Sequence, residues 1–267
     1  MLAVLGYLVA DVGVRALPPR LADAIARAVA RLVFAFQPPA RPALEANLSR
    51  LTGVSRAGRR ALARRAFEQF AVSFVDFLRL GRLDPGTLAG SVEVRGGQHL
   101  EQARRGGRGV ILLSAHLGNW EWGAAFLAAQ GTPLHVVARP HANRWVEAFF
   151  SRRRRDRGVG VLPLRPLWAR ASEALRRGEW VALMGDRTVR GGSSVCAWAA
   201  ALARRTGAVV LPAVMLRVAP GRYVACFEPP LDAGAPVAGR YRDAIAAYVR
   251  RHPEQWFAFE PLPEGLA

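Results

Sequence analysis

The chain contains no lysine. All 38 of its basic residues are arginine, against 20 acidic residues, for a formal net charge of +18 over 267 residues. Genomic base composition is the simplest cause of the swap between cations. The excess of positive charge still asks for an anionic partner: lipid headgroups, an acidic carrier protein, a phosphate-bearing substrate or nucleic acid. Cysteine is scarce. Cys196 and Cys226 stand in apolar surroundings with no CxxC or Cys/His spacing, which argues against a zinc site and for buried free thiols. No apolar run reaches the roughly 20 residues that a bilayer span needs. The opening stretch MLAVLGYLVA is soon followed by Asp11 and Arg15, and it has neither the early positive charge nor the cleavage site of a signal peptide. Zinc-finger, RRM and other nucleic-acid signatures are missing too, so no nucleic-acid partner is expected.

What is present is a chain long enough and apolar enough, at 51% hydrophobic residues, to bury a sizeable core. Leu21 to Phe36 alternates Leu, Ile, Val and Phe with Ala and Arg at helical spacing, with Arg20, Arg27 and Arg31 near the polar side. Such a helix suits a membrane interface or the surface of its own domain. Helical periodicity continues over 42–52 and 56–80, broken by Gly53 and by Asp84-Pro85-Gly86. From residue 91 short β-rich runs alternate with helical stretches. Strands are expected at 92–94, 110–114, 134–138, 159–164, 180–184, 209–218 and 223–227. Helices are expected at 98–105, 121–130, 144–155, 167–177 and 240–251. This alternation predicts an α/β fold with a mainly parallel central sheet flanked by helices. The expected division is a helical, membrane-associating region over 1–85 and an α/β core over 86–267, forming one continuous domain.

In parallel sheets chemistry gathers at the carboxyl ends of strands. After the apolar run Val110–Ser114 comes Ala115-His116-Leu117-Gly118-Asn119-Trp120-Glu121, and after Trp180–Met184 comes Gly185-Asp186-Arg187. With five histidines and 20 acidic residues, roughly 0.4 pairs spaced like His116 and Glu121 arise by chance, so spacing alone carries little weight. Position adds to it. A hydroxyl nucleophile needs a base near neutral pH, and a carboxylate on the far ring nitrogen fixes the tautomer. Ser114 lies in no G-x-S-x-G elbow.

The stretch SAHLGNWEWG resembles the H-x4-D/E block of lipid acyltransferases, and its Gly-Asn-Trp-Glu form resembles the bacterial lipid A late acyltransferase family. Further blocks follow in that family's order. They are Arg41 to Leu48 with Asn47, Arg139-Pro140 with Asn143, a catalytic-region arginine best matched by Arg154, and Gly185-Asp186-Arg187. Thr206-Gly207-Ala208 with Pro212, and His252-Pro253-Glu254-Gln255-Trp256, complete the series. Between Asp186 and Thr206 the family carries a longer segment, of which Gly191-Gly192-Ser193-Ser194 keeps the start.

The resemblance implies transfer of a fatty acyl group from acyl carrier protein or coenzyme A to a hydroxyl of a membrane glycolipid or lysolipid, such as a lipid A precursor, with no cofactor or metal. It implies His116 as general base supported by Glu121, with Arg154, and Arg139 beside it, on a phosphate or oxyanion. Asp186 holds an arginine or the acceptor. Asn119, Arg139, Asn143 and Arg187 are implied as substrate-binding. The expected location is peripheral or monotopic, on an anionic surface at the cytoplasmic face of a bacterial inner membrane. The alternative is a non-catalytic, membrane-binding descendant of the same fold.

Overall fold

A computed structural model describes the chain except residues 1–6, 8–9, 15, 37, 82, 189–193, 233, 235 and 263–267. Most of the apolar opening run, and the Gly191 to Ser193 remnant, therefore lie outside the described residues. The helical first part comprises α1 (Pro19–Ala35), α2 (Ala40–Thr52), α3 (Arg56–Leu80) and the short α4 (Pro85–Gly90). Then follow β1 (Val92–Arg95), α5 (Gly97–Arg105), β2 (Val110–Ser114), α6 (Trp120–Ala129), β3 (Leu134–Val137), α7 (Arg144–Arg155) and β4 (Gly160–Leu162). After these come α8 (Leu167–Arg176), β5 (Trp180–Met184), α9 (Val195–Thr206), β6 (Val209–Ala219), β7 (Arg222–Phe227) and α10 (Val237–Arg251).

The strands form one sheet in the order β1-β7-β6-β2-β5-β3-β4. Every neighbouring pair is parallel except β6 and β7. β2 is central and wholly buried, as a strand covered on both faces should be. Alternation splits its side chains between two cores. Ile111 and Leu113 join Ala171, Ala199 and Tyr241 on one side, and Leu112 joins Trp122, Phe126 and Phe77 on the other. The mainly parallel α/β architecture expected from the sequence is what forms.

The helix α9 falls in a stretch the sequence reading leaves unassigned. It is capped by Ser194, whose side chain accepts from Ala197 N. Its buried residues Val195, Cys196, Ala199, Leu202 and Ala203 lie on one face, at the spacing of an amphipathic helix.

α1 presents an unusual pair of faces. Buried on the protein are Ala22, Asp23, Ala30 and Phe34. Leu21, Ile25, Val29, Leu32 and Phe36 are exposed. Asp23 turns inward because Arg217 of β6 donates to it at 2.7 Å and to Asp76 of α3 at 2.6 Å. A charged group taken out of water needs such partners, so the ion cluster fastens α1 through Asp23 on its inner face and leaves an apolar stripe outside. No helix among the described residues is long and apolar enough to cross a membrane.

Candidate active site

The loop that follows β2 is clamped from both sides. Gly118 N donates to Gln255 O, Asn119 N to Met215 O, and Phe257 N to His116 O, at 2.7 to 2.8 Å. A side chain at Gly118 would meet the Met215 carbonyl oxygen at 1.8 Å, and its φ is +69°, so glycine is required there. Asn119 then starts α6. Its Oδ1 accepts from Trp122 N, and its Nδ2 donates to Ser73 O and to the Tyr223 hydroxyl. These bonds occupy both ends of the amide. Expected as a substrate contact, Asn119 is a helix cap that anchors the loop.

His116 Nδ1 lies 2.9 Å from Asp186 Oδ1, and His116 N donates to Asp186 Oδ2 at 3.0 Å. The carboxylate arrives from the end of β5, which pairs with β2 in the register Ser114 to Met184. Trp256 Nε1 also donates to Asp186, at 3.2 Å. Burial pushes the Asp186 carboxyl up, but the charge and hydrogen bond of His116, the charge of Arg187 and the His116 backbone N–H outweigh it and hold it below its ordinary value. An ionised, acceptor-only Asp186 places the ring proton on Nδ1 and leaves Nε2 as the free base. The ring of Trp120 packs edge-on against His116 with centroids 4.9 Å apart.

Glu121 does something other than expected. It sits in the first turn of α6, where the helix directs it toward α7, and Arg154 holds it through Nε at 3.0 Å and through Nη2. The carboxylate that touches His116 is therefore Asp186, not Glu121, and this corrects the expectation, drawn from the resemblance, that Glu121 supports His116. Arg154, expected on a phosphate or oxyanion, is here engaged by Glu121. The two side chains are only 10% and 13% exposed. Burial lowers the Arg154 pKa, but Glu121 more than restores it, so the pair is a charged, largely buried bridge. Arg154 Nη1 is buried without a hydrogen-bond partner. Of its neighbours, Arg153 binds Asp11 and Leu78 O, and Arg152 and Arg155 are exposed.

Asn143 caps α7, accepting from Trp145 N and Val146 N. Like Asn119, it positions a helix. Arg139 and Arg187 stand together at the cavity described next, both facing Glu260. Two site-building residues escaped the sequence reading, Tyr241, whose hydroxyl donates to Ser114 O at 2.6 Å, and Glu260, and a third, Trp256, was read without its contact to Asp186. Trp256 belongs to a recognised block, but nothing in its spacing tells which carboxylate it meets.

A cavity of about 1720 Å³ opens at His116 and takes in Glu121 and Arg154. Part of its wall is apolar: Phe74 and Phe77 of α3, Phe126 of α6, and Ala182, Ala213 and Ala225 on one face of the sheet. The small strand residues leave room between sheet and helices. Among the described residues no cluster of histidine, cysteine, aspartate or glutamate is arranged to hold a metal ion.

A family model described as bacterial lipid A biosynthesis acyltransferase matches residues 2–262. A phosphatidylinositol mannoside acyltransferase of Mycolicibacterium smegmatis is 28% identical over 96% of this chain and 90% of its own length. A protein of the same name from Mycobacterium tuberculosis is 28% identical over 82% and 75%. Among solved structures, the 1-acyl-sn-glycerophosphate acyltransferase of Thermotoga maritima aligns over 85% of this chain and 95% of that one. The TM-score is 0.41 and the identity 16%.

Proposed function

Since the chain belongs to the bacterial lipid A biosynthesis acyltransferase family and is an acyltransferase acting on lipids, we propose that it transfers a fatty acyl group from an acyl thioester to a headgroup hydroxyl of a membrane glycolipid. The observation that carries this reading is the His116–Asp186 pair, at 2.9 Å, opening on the apolar cavity. The names of the two mycobacterial relatives favour a mannosylated phosphatidylinositol over a lipid A precursor as acceptor.

The steps follow from the geometry. His116 Nε2 takes the proton of the acceptor hydroxyl as its oxygen attacks the thioester carbonyl carbon. Asp186 stabilises the imidazolium that forms. The tetrahedral intermediate collapses, the carbon–sulfur bond breaks, and the imidazolium returns its proton to the leaving thiolate. The buried guanidinium edge of Arg154 supplies positive charge beside the reacting centre, and the apolar wall takes the acyl chain. Acyl carrier protein and coenzyme A both suit the donor role, and the arginine-rich surface favours either anion.

The test incubates purified protein with palmitoyl-coenzyme A and, in parallel, phosphatidylinositol mannoside or a lipid A precursor, and reads the products by mass spectrometry. Acylation of the mannoside is expected; acylation of the lipid A precursor alone would overturn the acceptor assignment. Without acceptor no stoichiometric acyl-enzyme is expected. The Cys196 thiol is pushed up to about 12, foremost by burial, and it already donates to Gly185 O. Label on the chain that disappears in Ser114→Ala or Cys196→Ala would replace direct attack with a covalent route.

The exposed stripe of α1 supports interfacial attachment, with Leu21, Ile25, Leu32 and Phe36 in the lipid and arginines among the headgroups. The cytoplasmic face of the inner membrane is the proposed side, where acyl thioesters are made available. The protein should pellet with membranes and be released by high salt or alkaline carbonate. Full retention after carbonate would mean an integral anchor.

A further inference from the structure

The loop that carries His116 is held by two arms, and both lead to Arg217 of β6. In the first, Gly118 N donates to Gln255 O, and the Gln255 side chain brackets the Arg217 backbone. It accepts from Arg217 N at 2.9 Å and donates to Arg217 O at 3.0 Å. In the second, Asn119 Nδ2 donates to the Tyr223 hydroxyl at 3.0 Å, and Tyr223 donates to Asp76 Oδ2 at 2.5 Å. Arg217 Nε donates to the same Asp76 oxygen at 2.6 Å, and its Nη2 reaches Asp23 of α1 at 2.7 Å. A continuous run of hydrogen bonds thus joins α1 to the loop of the base.

Stability is a poor explanation for this chain. Replacing buried ion pairs by apolar groups is often neutral or better. Asp23 Oδ1 and Asp76 Oδ1 are also buried without hydrogen-bond partners, which adds to the cost. What the chain supplies is direction. Burial, with the charge and hydrogen bond of Asp76, pushes the Tyr223 hydroxyl well above its ordinary value, so it keeps its proton. With that proton given to Asp76, the oxygen presents a lone pair to Asn119. The Tyr223 ring stacks on Trp122 with centroids 4.6 Å apart, and Trp122 N donates to Asn119 Oδ1. Tyr223 therefore meets the cap of α6 from both ends of its amide.

We infer that Tyr223 is a positioning residue for the base, acting through Asn119, and that Asp23 extends the same control to the seating of α1. This rests on the acyl-transfer reading and adds to it a link between the helix that meets the lipid and the base. The Tyr223 hydroxyl is committed to Asp76 and Asn119, so it acts on His116 by fixing the loop. A misplacement of about 1 Å in a reacting group costs on the order of 10²-fold in rate.

Tyr223→Phe keeps the ring and removes the hydroxyl. With palmitoyl-coenzyme A and phosphatidylinositol mannoside, kcat should fall by about tenfold, while KM for each stays within about twofold, because binding groups are untouched. Asp23→Asn keeps an acceptor for Arg217 and removes the charge; kcat should fall by about threefold. The double variant should stay near the tenfold loss, since both residues act along one chain. Val249→Ala, in the core on the other face of the sheet, should lower the melting temperature and leave kcat unchanged. A further readout needs no turnover. With isotope-labelled histidine, the Nδ1–H resonance of His116, assigned by its loss in His116→Asn, should shift or broaden in Tyr223→Phe and hold in Val249→Ala. A wild-type protein without transferase activity would remove the acyl-transfer reading and leave this resonance to judge the positioning. Unchanged kcat or an unmoved resonance in Tyr223→Phe, an equal kcat loss in Val249→Ala, or a multiplied loss of about thirtyfold in the double variant would overturn it.

Discussion

His116→Asn is expected to lower acyl transfer by about 10² to 10⁴-fold, the usual contribution of a general base. Asparagine is the informative replacement. Its side-chain amide can still donate to Asp186 where Nδ1 did, so the buried carboxylate keeps a partner and the fold is spared. Alanine would remove that partner and mix a stability loss into the kinetics. Asp186→Asn should lose a comparable share of the rate, because an amide neither fixes the Nδ1–H tautomer nor stabilises the imidazolium. The double variant should be little worse than either single one, since the two residues act as a unit. Acid unfolding gives a second readout. The folded-state pKa of Asp186 is lowered, so its ionisation contributes stability that is present above the unfolded carboxylate pKa. That stability is lost as pH falls through the lower, folded one. Asp186→Asn should flatten the acid limb of the stability profile. Full transfer activity in His116→Asn would sink the catalytic reading.

The sequence marked His116 as the candidate base but not the carboxylate that it touches. His116 was legible because a run such as VILLS is apolar throughout, which marks a strand buried on both faces, and the first polar ring after such a strand stands at the functional edge of the sheet. Its partner was not legible. Asp186 meets His116 only because β5 lies beside β2, and strand adjacency in a parallel sheet is set by crossover packing rather than by chain distance. Glu121, five residues from His116, looked nearer, but Asn119 caps a helix between them and the helix aims Glu121 at Arg154. The same limit hid the β6–β7 antiparallel pairing and the convergence of Arg139, Arg187 and Glu260. α9 is a different case. Its apolar spacing was there to be read, but the glycine-rich stretch before it resembled a shortened loop.

Breaking the Glu121–Arg154 bridge should affect stability and rate separately. Removing one member of a buried pair leaves the other charge uncompensated and costs about 3–5 kcal/mol, whereas replacing both by apolar groups of similar size is often neutral. Both side chains here are about nine-tenths buried, so this regime applies. Glu121→Ala should therefore lower the melting temperature markedly, and Glu121→Leu/Arg154→Met should restore most of it. Activity should not return with stability. The bridge lines the same cavity as His116, and Arg154 Nη1 is a buried donor without a hydrogen-bond partner, available to a substrate oxygen in the proposed reaction. The stable double variant should remain at least about tenfold slower, the loss expected when a charged hydrogen bond to substrate is removed. A cycle between His116→Asn and Glu121→Ala adds a control. No bond joins the two residues, so their stability changes should add to within about 0.5 kcal/mol. Wild-type activity in the apolar double variant would make the bridge a purely structural brace between α6 and α7. Strong coupling to His116 would restore Glu121 as the partner of the base.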